Sequence, residues 1–334
     1  PRATLRVTPA APFMQHDLRA RGVNGRRRIA PPRLPSDELC LHIASQQRGA
    51  EMKRSVVVTG ASTGIGYAIA QLLAREGFHV FGTVRRMDDA ERLSEEIGDE
   101  VTPLIFDVTD PEGLKDAARD VAQRLGTTTL AGLVNNAGVA IAGPLLHLPI
   151  EELRRQLDIN VVAQVAVIQA FAPLLGADRT RTGGPGRIVN MSSIAGRLAM
   201  PFTGAYAASK HALEALTDSL RRELLLYGID VIAIEPGPIA TPIWDKAEAQ
   251  DFGPITETDY REPALRLRSY MLKRGRDGLA PEVVAASVLR ALVAPKPPTR
   301  IALLKGKFAN FTLPRLLPDR MLDRMVGKRL GLLK

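Results

Sequence analysis

SVVVTGASTGIG, residues 55–66, decides how the rest of the chain is read. A short apolar run of strand character leads into a turn carrying Gly60, Gly64 and Gly66, and a helical pattern follows. Glycine allows tight turns and lets a ligand come close to the backbone. The start of the next helix presents free N–H groups and a positive dipole end, which suit a pyrophosphate. The spacing is G-x-x-x-G-x-G rather than the G-x-G-x-x-G of the common dinucleotide fingerprint. A purely structural turn is the other reading of the same glycines.

Downstream, the alternation of strand and helix is regular. Strand-like runs fall at HVFGTV (79–84), VTPLIFDV (101–108), LAGLVNNAG (130–138), RIVNMSS (187–193) and IDVIAIEPG (229–237). Helices are expected at 64–76, 88–97, 111–125, 149–176 and 204–227, then near 281–293, with a last strand in TRIALLKG (299–306). The strands are almost wholly apolar, as strands covered on both faces must be. This pattern predicts an α/β fold: a single Rossmann-like, doubly wound parallel sheet flanked by helices on both faces. Order weakens over 240–280, where Trp244, Phe252, Tyr260 and Met271 stand among charges.

The chain has 334 residues and a formal net charge of +9, unevenly placed. Residues 1–51 hold nine Arg against four acids, residues 305–334 carry +6, and the middle carries −2. Nucleic-acid binding is a poor reading of such a middle. Residues 1–51 read as a solvated extension, a start-site artefact ahead of Met52, or an Arg-rich transit segment. The one cysteine, Cys40, excludes an intramolecular disulfide and a cysteine zinc site and fits a reducing, cytoplasmic compartment. No apolar run is long enough for a membrane span, and no His, Asp or Glu cluster suggests a metal. His79 and His211 read as structural. The division expected is therefore 1–51, a catalytic domain over 52–304, and a basic amphipathic tail over 305–334.

Within YAASK (206–210), Tyr206 and Lys210 stand about one helical turn apart and share a face. A cation beside a phenol favours phenolate, so Lys210 is expected to pull the Tyr206 pKa down from about 10 toward neutrality. After the second strand come Thr83, Val84, Arg85 and Arg86, with no acid before Asp88. An acid there favours NAD and an arginine the 2′-phosphate of NADP. NADP is therefore favoured over NAD, with Arg85 the first contact and Arg86 the second; ordinary surface charge is the other reading. Asp107 stands at the end of the third strand, suited to an adenine amino group or to a cap, although Asp110 before Pro111 is the better cap. Asn136, Ala137 and Gly138 end the fourth strand beside the same crevice.

TGASTGIG (59–66), DVT (107–109), NNAG (135–138), Asn160, SS (192–193), YAASK (206–210) and PG (236–237) together resemble the short-chain dehydrogenase/reductase family over residues 54–304. VFGTVRR and AGPLLHLPIEELRRQLDIN look like its retinol, hydroxysteroid and 3-hydroxybutyrate dehydrogenase branch. The resemblance implies that Tyr206 exchanges a proton with the substrate oxygen and that Lys210 tunes it and holds the nicotinamide ribose. It implies that Ser193 steadies the substrate oxygen, with Ser192 the alternative, and that Asn160 anchors a water on a proton relay. Ser62, Thr63, Ile65 and Val108 join the implied cofactor contacts, as do Pro236, Gly237, Ile239 and Thr241 of EPGPIAT over the nicotinamide. Thr63 departs from the basic residue that NADP-dependent members often carry there.

The substrate expected is a small apolar ketone, aldehyde or alcohol, bordered by 240–280 on one side and by Leu198, Met200 and Phe202 on the other. A homodimer or homotetramer is expected. In 311–334, Leu317, Met321, Leu322, Met325 and Val326 form an apolar stripe among arginines and lysines. The stripe is suited to an anionic membrane surface, to packing on its own domain or to a subunit interface. A non-catalytic nucleotide-binding protein, or a membrane-associated scaffold on this fold, is the rival to the enzyme.

Overall fold

In the computed structural model of the chain, the residues described are 54–249 and 257–333. The readings made for 1–51 and for Phe252 lie outside them. Seven parallel strands form one sheet: β1 (Ser55–Val58), β2 (His79–Val84), β3 (Val101–Ile105), β4 (Gly132–Asn135), β5 (Arg187–Met191), β6 (Asp230–Pro236) and β7 (Arg300–Leu303). Their order is β3-β2-β1-β4-β5-β6-β7, so the direction of winding reverses between β1 and β4. A crevice opens there beyond the carboxyl ends of the strands.

The helices are α1 (Gly64–Arg75), α2 (Met87–Ile97), α3 (Pro111–Leu125), α4 (Ile150–Leu157), α5 (Ala163–Phe171) and α6 (Gly204–Glu223). After these come α7 (Ile243–Ala249), α8 (Arg261–Arg276), α9 (Pro281–Val293) and α10 (Asp319–Leu330). Alternation along β1 explains the apolar strands. Val56 and Val58 pack with Ile69 and Leu73 of α1 and Val284 and Val288 of α9. Val57 packs on the other face with Val121 of α3 and Val167 and Phe171 of α5. Both faces are buried, so a polar residue at either parity would be left without water.

Three expectations need correction. The helix read over 149–176 is interrupted by a π-helical turn, Asp158–Val162. Its apolar run kept the expected period, and nothing in the hydrophobic pattern marks a single extra residue per turn. The helix read over 204–227 ends at Glu223 and tightens to a 3-10 turn over Leu224–Tyr227, closed by Gly228 at φ 70°. Within 240–280, residues 257–280 are more regular than their mixed composition suggests, with α8 spanning 16 residues. Trp244 packs flat against Gly275 there, where a side chain would strike the indole. Asp110 caps α3 as expected, accepting from Glu112 N at 3.1 Å.

Candidate active site

The glycine turn is braced from two sides. Thr59 Oγ1 accepts from the backbone N–H groups of Asn136 and Ala137 at 2.9 and 3.0 Å. The Asn136 amide donates to the carbonyls of Thr59 and Gly60 at 2.9 and 3.1 Å. From β2, Thr83 Oγ1 accepts from Gly60 N at 3.0 Å. Gly60 and Gly64 have φ of 67° and 60°, which favour glycine. A Cβ on Gly66 would lie 2.1 Å from the Gly60 carbonyl oxygen, so α1 could not approach the turn with any other residue there. At the head of α1, Thr63 makes no side-chain cap and no acid stands in the first turn. The first N–H groups are thus open to an anion, and Ser62, Thr63 and Ile65 border them. The cradle fits a pyrophosphate. Gly64 also meets the far side of the crevice, since its Cβ position lies 3.5 Å from Thr241.

At the end of β2 the two arginines differ. Arg86 is paired with Asp88 at 2.8 Å. Arg85 is 73% exposed and reaches only to 3.9 Å from Asp107. Sequence reasoning missed Arg92, whose guanidinium donates to the Ser62 carbonyl at 2.6 Å and so ties α2 to the turn. Burial pushes the Asp107 carboxyl up, but the Thr109 hydroxyl and backbone N–H outweigh it and hold the carboxyl below the usual range. Val108 continues that strand end, half-buried against the α3–α5 face of the core.

Across the switch point, β5 delivers Ser192 and Ser193. Ser192 is 4% exposed and its hydroxyl has no partner among the described residues. Ser193 accepts from Ala195 N at 3.1 Å, donates to the Pro236 carbonyl at 3.3 Å, and is the one side chain whose polarity favours the Tyr206 phenolate. It is therefore Ser193 that faces the phenol. Tyr206 and Lys210 stand one turn apart on α6, and the Lys210 ammonium sits 5.8 Å from the Tyr206 ring centroid. Lys210 is 7% exposed and donates to the Met191 carbonyl at 2.7 Å.

The electrostatics depart from the sequence expectation. Burial pushes the Tyr206 phenol above its ordinary value, and Ser193 only partly offsets it. Lys210 does not offset this rise, and its ammonium donates to the Met191 carbonyl. Burial instead lowers Lys210 to about 8, against a smaller opposing pull from Glu214 one turn further along α6. Glu214 itself is held by Arg300 at 2.8 Å.

Asn160 sits in the π-turn, fully buried. Its amide clamps Val139, accepting from the backbone N–H and donating to the carbonyl, both at 2.9 Å. It also donates to Ser209 Oγ at 3.1 Å, and Ser209 donates in turn to the Tyr206 carbonyl at 2.7 Å. Gln156 and Gln164, four residues to either side, complete a row that sequence reasoning missed. Gln156 donates to Val139 O at 2.8 Å and accepts from Ile141 N at 2.7 Å, while Gln164 donates to Ala137 O at 2.7 Å. The signal was present: three amides at i, i+4 and i+8 in a stretch that is apolar but for Asp158. The row fixes the segment after β4 that carries Ala137 and Gly138.

Gly237 closes the far wall, its N–H donating to Leu303 O at 2.8 Å. The Ile239 carbonyl accepts from Trp244 Nε1 at 2.7 Å. That oxygen is thus already engaged, which narrows the expected contact of Ile239 with a carboxamide. Around the mouth, Tyr260 stacks edge-on against His147 at 5.7 Å and Phe202 at 5.6 Å, joining 240–280 to the wall expected from Phe202. Phe202 has φ 63°, a strained position for a non-glycine residue. No group of three or more potential metal ligands occurs among the described residues.

Comparison with known proteins follows the same outline. The family model for short chain dehydrogenases matches residues 54–251. The NADPH-dependent 3-dehydrocapnine reductase of Ornithobacterium rhinotracheale is 42% identical over 83% of this chain and 97% of its own length. The uncharacterized oxidoreductase YbbO of Escherichia coli K12 is 36% identical over 83% of this chain and 96% of its own. Mouse retinol dehydrogenase 5 is 38% identical over 56% of this chain and 57% of its own. The crystal structure of a short-chain dehydrogenase from Streptomyces avermitilis superposes with a TM-score of 0.66 at 30% identity, covering 85% of this chain and all of that one.

Proposed function

The chain belongs to the short-chain dehydrogenase family of oxidoreductases, and from that premise we propose that it reduces an apolar ketone or aldehyde to its alcohol with NADPH, Tyr206 serving as the general acid. The observation that carries this reading is the pairing of Tyr206 with Ser193 at the carboxyl end of β5, facing a glycine cradle across the switch point. When bound there, the nicotinamide supplies the hydride. The chain's own residues do the rest.

Ser193 donates to the substrate oxygen and stabilises the negative charge that develops on it. Tyr206 gives that oxygen its proton. A phenol held above its ordinary pKa is fully protonated at neutral pH, as a proton donor must be. Lys210, titrating near 8, is able to return a proton to the phenolate and recover one from solvent at working pH. Two arguments favour reduction as the working direction. The acid is protonated at rest, and the relative 42% identical over 97% of its own length is named an NADPH-dependent reductase.

Arg85 supports NADPH over NADH. It stands after β2 without a close acid, where a 2′-phosphate would need a cation. The His147, Phe202 and Tyr260 rings and the adjoining Leu198 and Met200 suit an apolar substrate. The test is a screen of ketosteroids, retinoids and medium-chain ketones, following nicotinamide absorbance with each cofactor. Turnover of an apolar carbonyl with NADPH, abolished in Tyr206→Phe while cofactor still binds, is the expected result. Near-normal turnover in that variant would overturn the assignment.

A further inference from the structure

We propose that the outward face of α10, with the turns leading to it, docks on an anionic phospholipid surface. The apolar stripe expected over 317–326 is split in the structure. Leu322 and Val326 turn inward, half-buried, and Leu330 is 2% exposed. Arg329 lies 4.2 Å over the Tyr270 ring of α8, which anchors that inner side. Met321 and Met325 face outward instead, 52% and 53% exposed. Just upstream, Phe308 and Leu316 are 68% and 73% exposed. The helix therefore needs no partner to fold, yet keeps an apolar face in water.

Its charge selects the occupant. Arg320, Arg324 and Lys328 line a groove of about 500 Å³ together with Met321, Met325 and Pro318. Among the described residues no carboxylate lies within ion-pair distance of these three cations, although Asp319 and Asp323 share the helix. A second depression of about 430 Å³, where α10 meets α8, is lined by Lys273, Arg274, Lys305 and Arg329 with Asp277 as its one acid. Exposed apolar side chains rimmed by unpaired cations match the surface of an anionic bilayer, with methionines at acyl depth and cations among headgroups. The segment follows β7, whose Leu303 carbonyl holds Gly237 at the crevice wall. The inference does not depend on turnover.

The test is co-sedimentation of the full chain with vesicles of phosphatidylcholine alone and of phosphatidylcholine with phosphatidylserine. Binding is expected on the anionic vesicles and is expected to fall with added salt. The Arg320→Gln/Arg324→Gln/Lys328→Gln variant is expected to partition on the order of a hundredfold less, from three losses of roughly fivefold each. Met321→Ser/Met325→Ser is expected to lose at least about tenfold. Circular dichroism and cofactor binding of both variants should match the wild type, since neither set touches the crevice. Three outcomes would overturn the proposal. The wild type ignores anionic vesicles; or both variants bind as well as wild type, which moves any binding to the Arg-rich residues 1–51; or the variants change only the protein's own sedimentation mass, which assigns the face to a second copy.

Discussion

The Lys210 ammonium stands 5.8 Å from the centre of the Tyr206 ring, yet its 2.7 Å hydrogen bond goes to the carbonyl of Met191. The cation is near the phenol without hydrogen-bonding its hydroxyl, and Ser193 is the side chain that acts to lower the phenol. Both groups are desolvated, and desolvation works in opposite directions on the two: it disfavours phenolate and disfavours ammonium. As pH rises, the first proton leaves Lys210 near 8 rather than Tyr206. Because the groups are close, the two steps belong to the pair.

The first prediction follows from that order. In the cofactor-free protein, the Tyr206 phenolate should form only above the ordinary tyrosine value of about 10. The measurement is a difference absorbance titration, wild type minus Tyr206→Phe. A phenolate signal near neutral pH would show that Lys210 governs the phenol after all.

Stability should carry the mark of Lys210. Its pKa is about 8 folded against 10.5 unfolded, so between those values the unfolded chain binds more protons. Stability from this group therefore rises with pH across about 8 to 10.5 and is lost as pH falls back through 8. The full span is about 3–4 kcal/mol, at 1.36 kcal/mol per unit. Urea unfolding of wild type and Lys210→Met across this range should show the rise in the wild type alone, and a difference between the two that stays constant from pH 8 to 10.5 would mean that the site is not desolvated.

Cofactor choice should separate the two arginines. Arg85→Ala removes a cation that no close acid neutralises, so the KM for NADPH should rise about tenfold to a hundredfold, the worth of a charge-assisted hydrogen bond. The KM for NADH should hardly move. Arg86→Ala should change both by less than about threefold, because Asp88 already holds that guanidinium. Equal losses for both cofactors in Arg85→Ala would mean that the 2′-phosphate is not read there.

Much of this was legible in the residues. Period and apolar runs located all seven strands because both sheet faces are buried, and Gly60, Gly64 and Gly66 marked the turn because only glycine fits there. What escaped had a different physical origin. The π-turn at Asn160 inserts a residue without altering composition. The rise in the Tyr206 pKa depends on where the Lys210 ammonium points, which spacing along a helix does not specify. Thr83 and Arg92 are ordinary in sequence, and only the closeness of β2 and α2 to the turn makes them braces.

The amide row supplies the last prediction. Asn160→Ala would leave the Val139 N–H without its acceptor beside the fully buried Asn160 position, while Gln156 still reaches the Val139 carbonyl. An unpartnered buried group costs about 1–3 kcal/mol, so the variant should lose about 2–3 kcal/mol in urea unfolding. Gln164→Leu also removes one donor to the Ala137 carbonyl and should lose less, about 1–2 kcal/mol. Asn160→Ala should weaken cofactor binding too, since the freed segment after β4 carries Ala137 and Gly138 at the crevice, whereas a residue serving only to hold a relay water would leave both unfolding and cofactor affinity unchanged. An unaltered urea midpoint in Asn160→Ala, with turnover lost, would therefore remove the brace and leave the relay role alone.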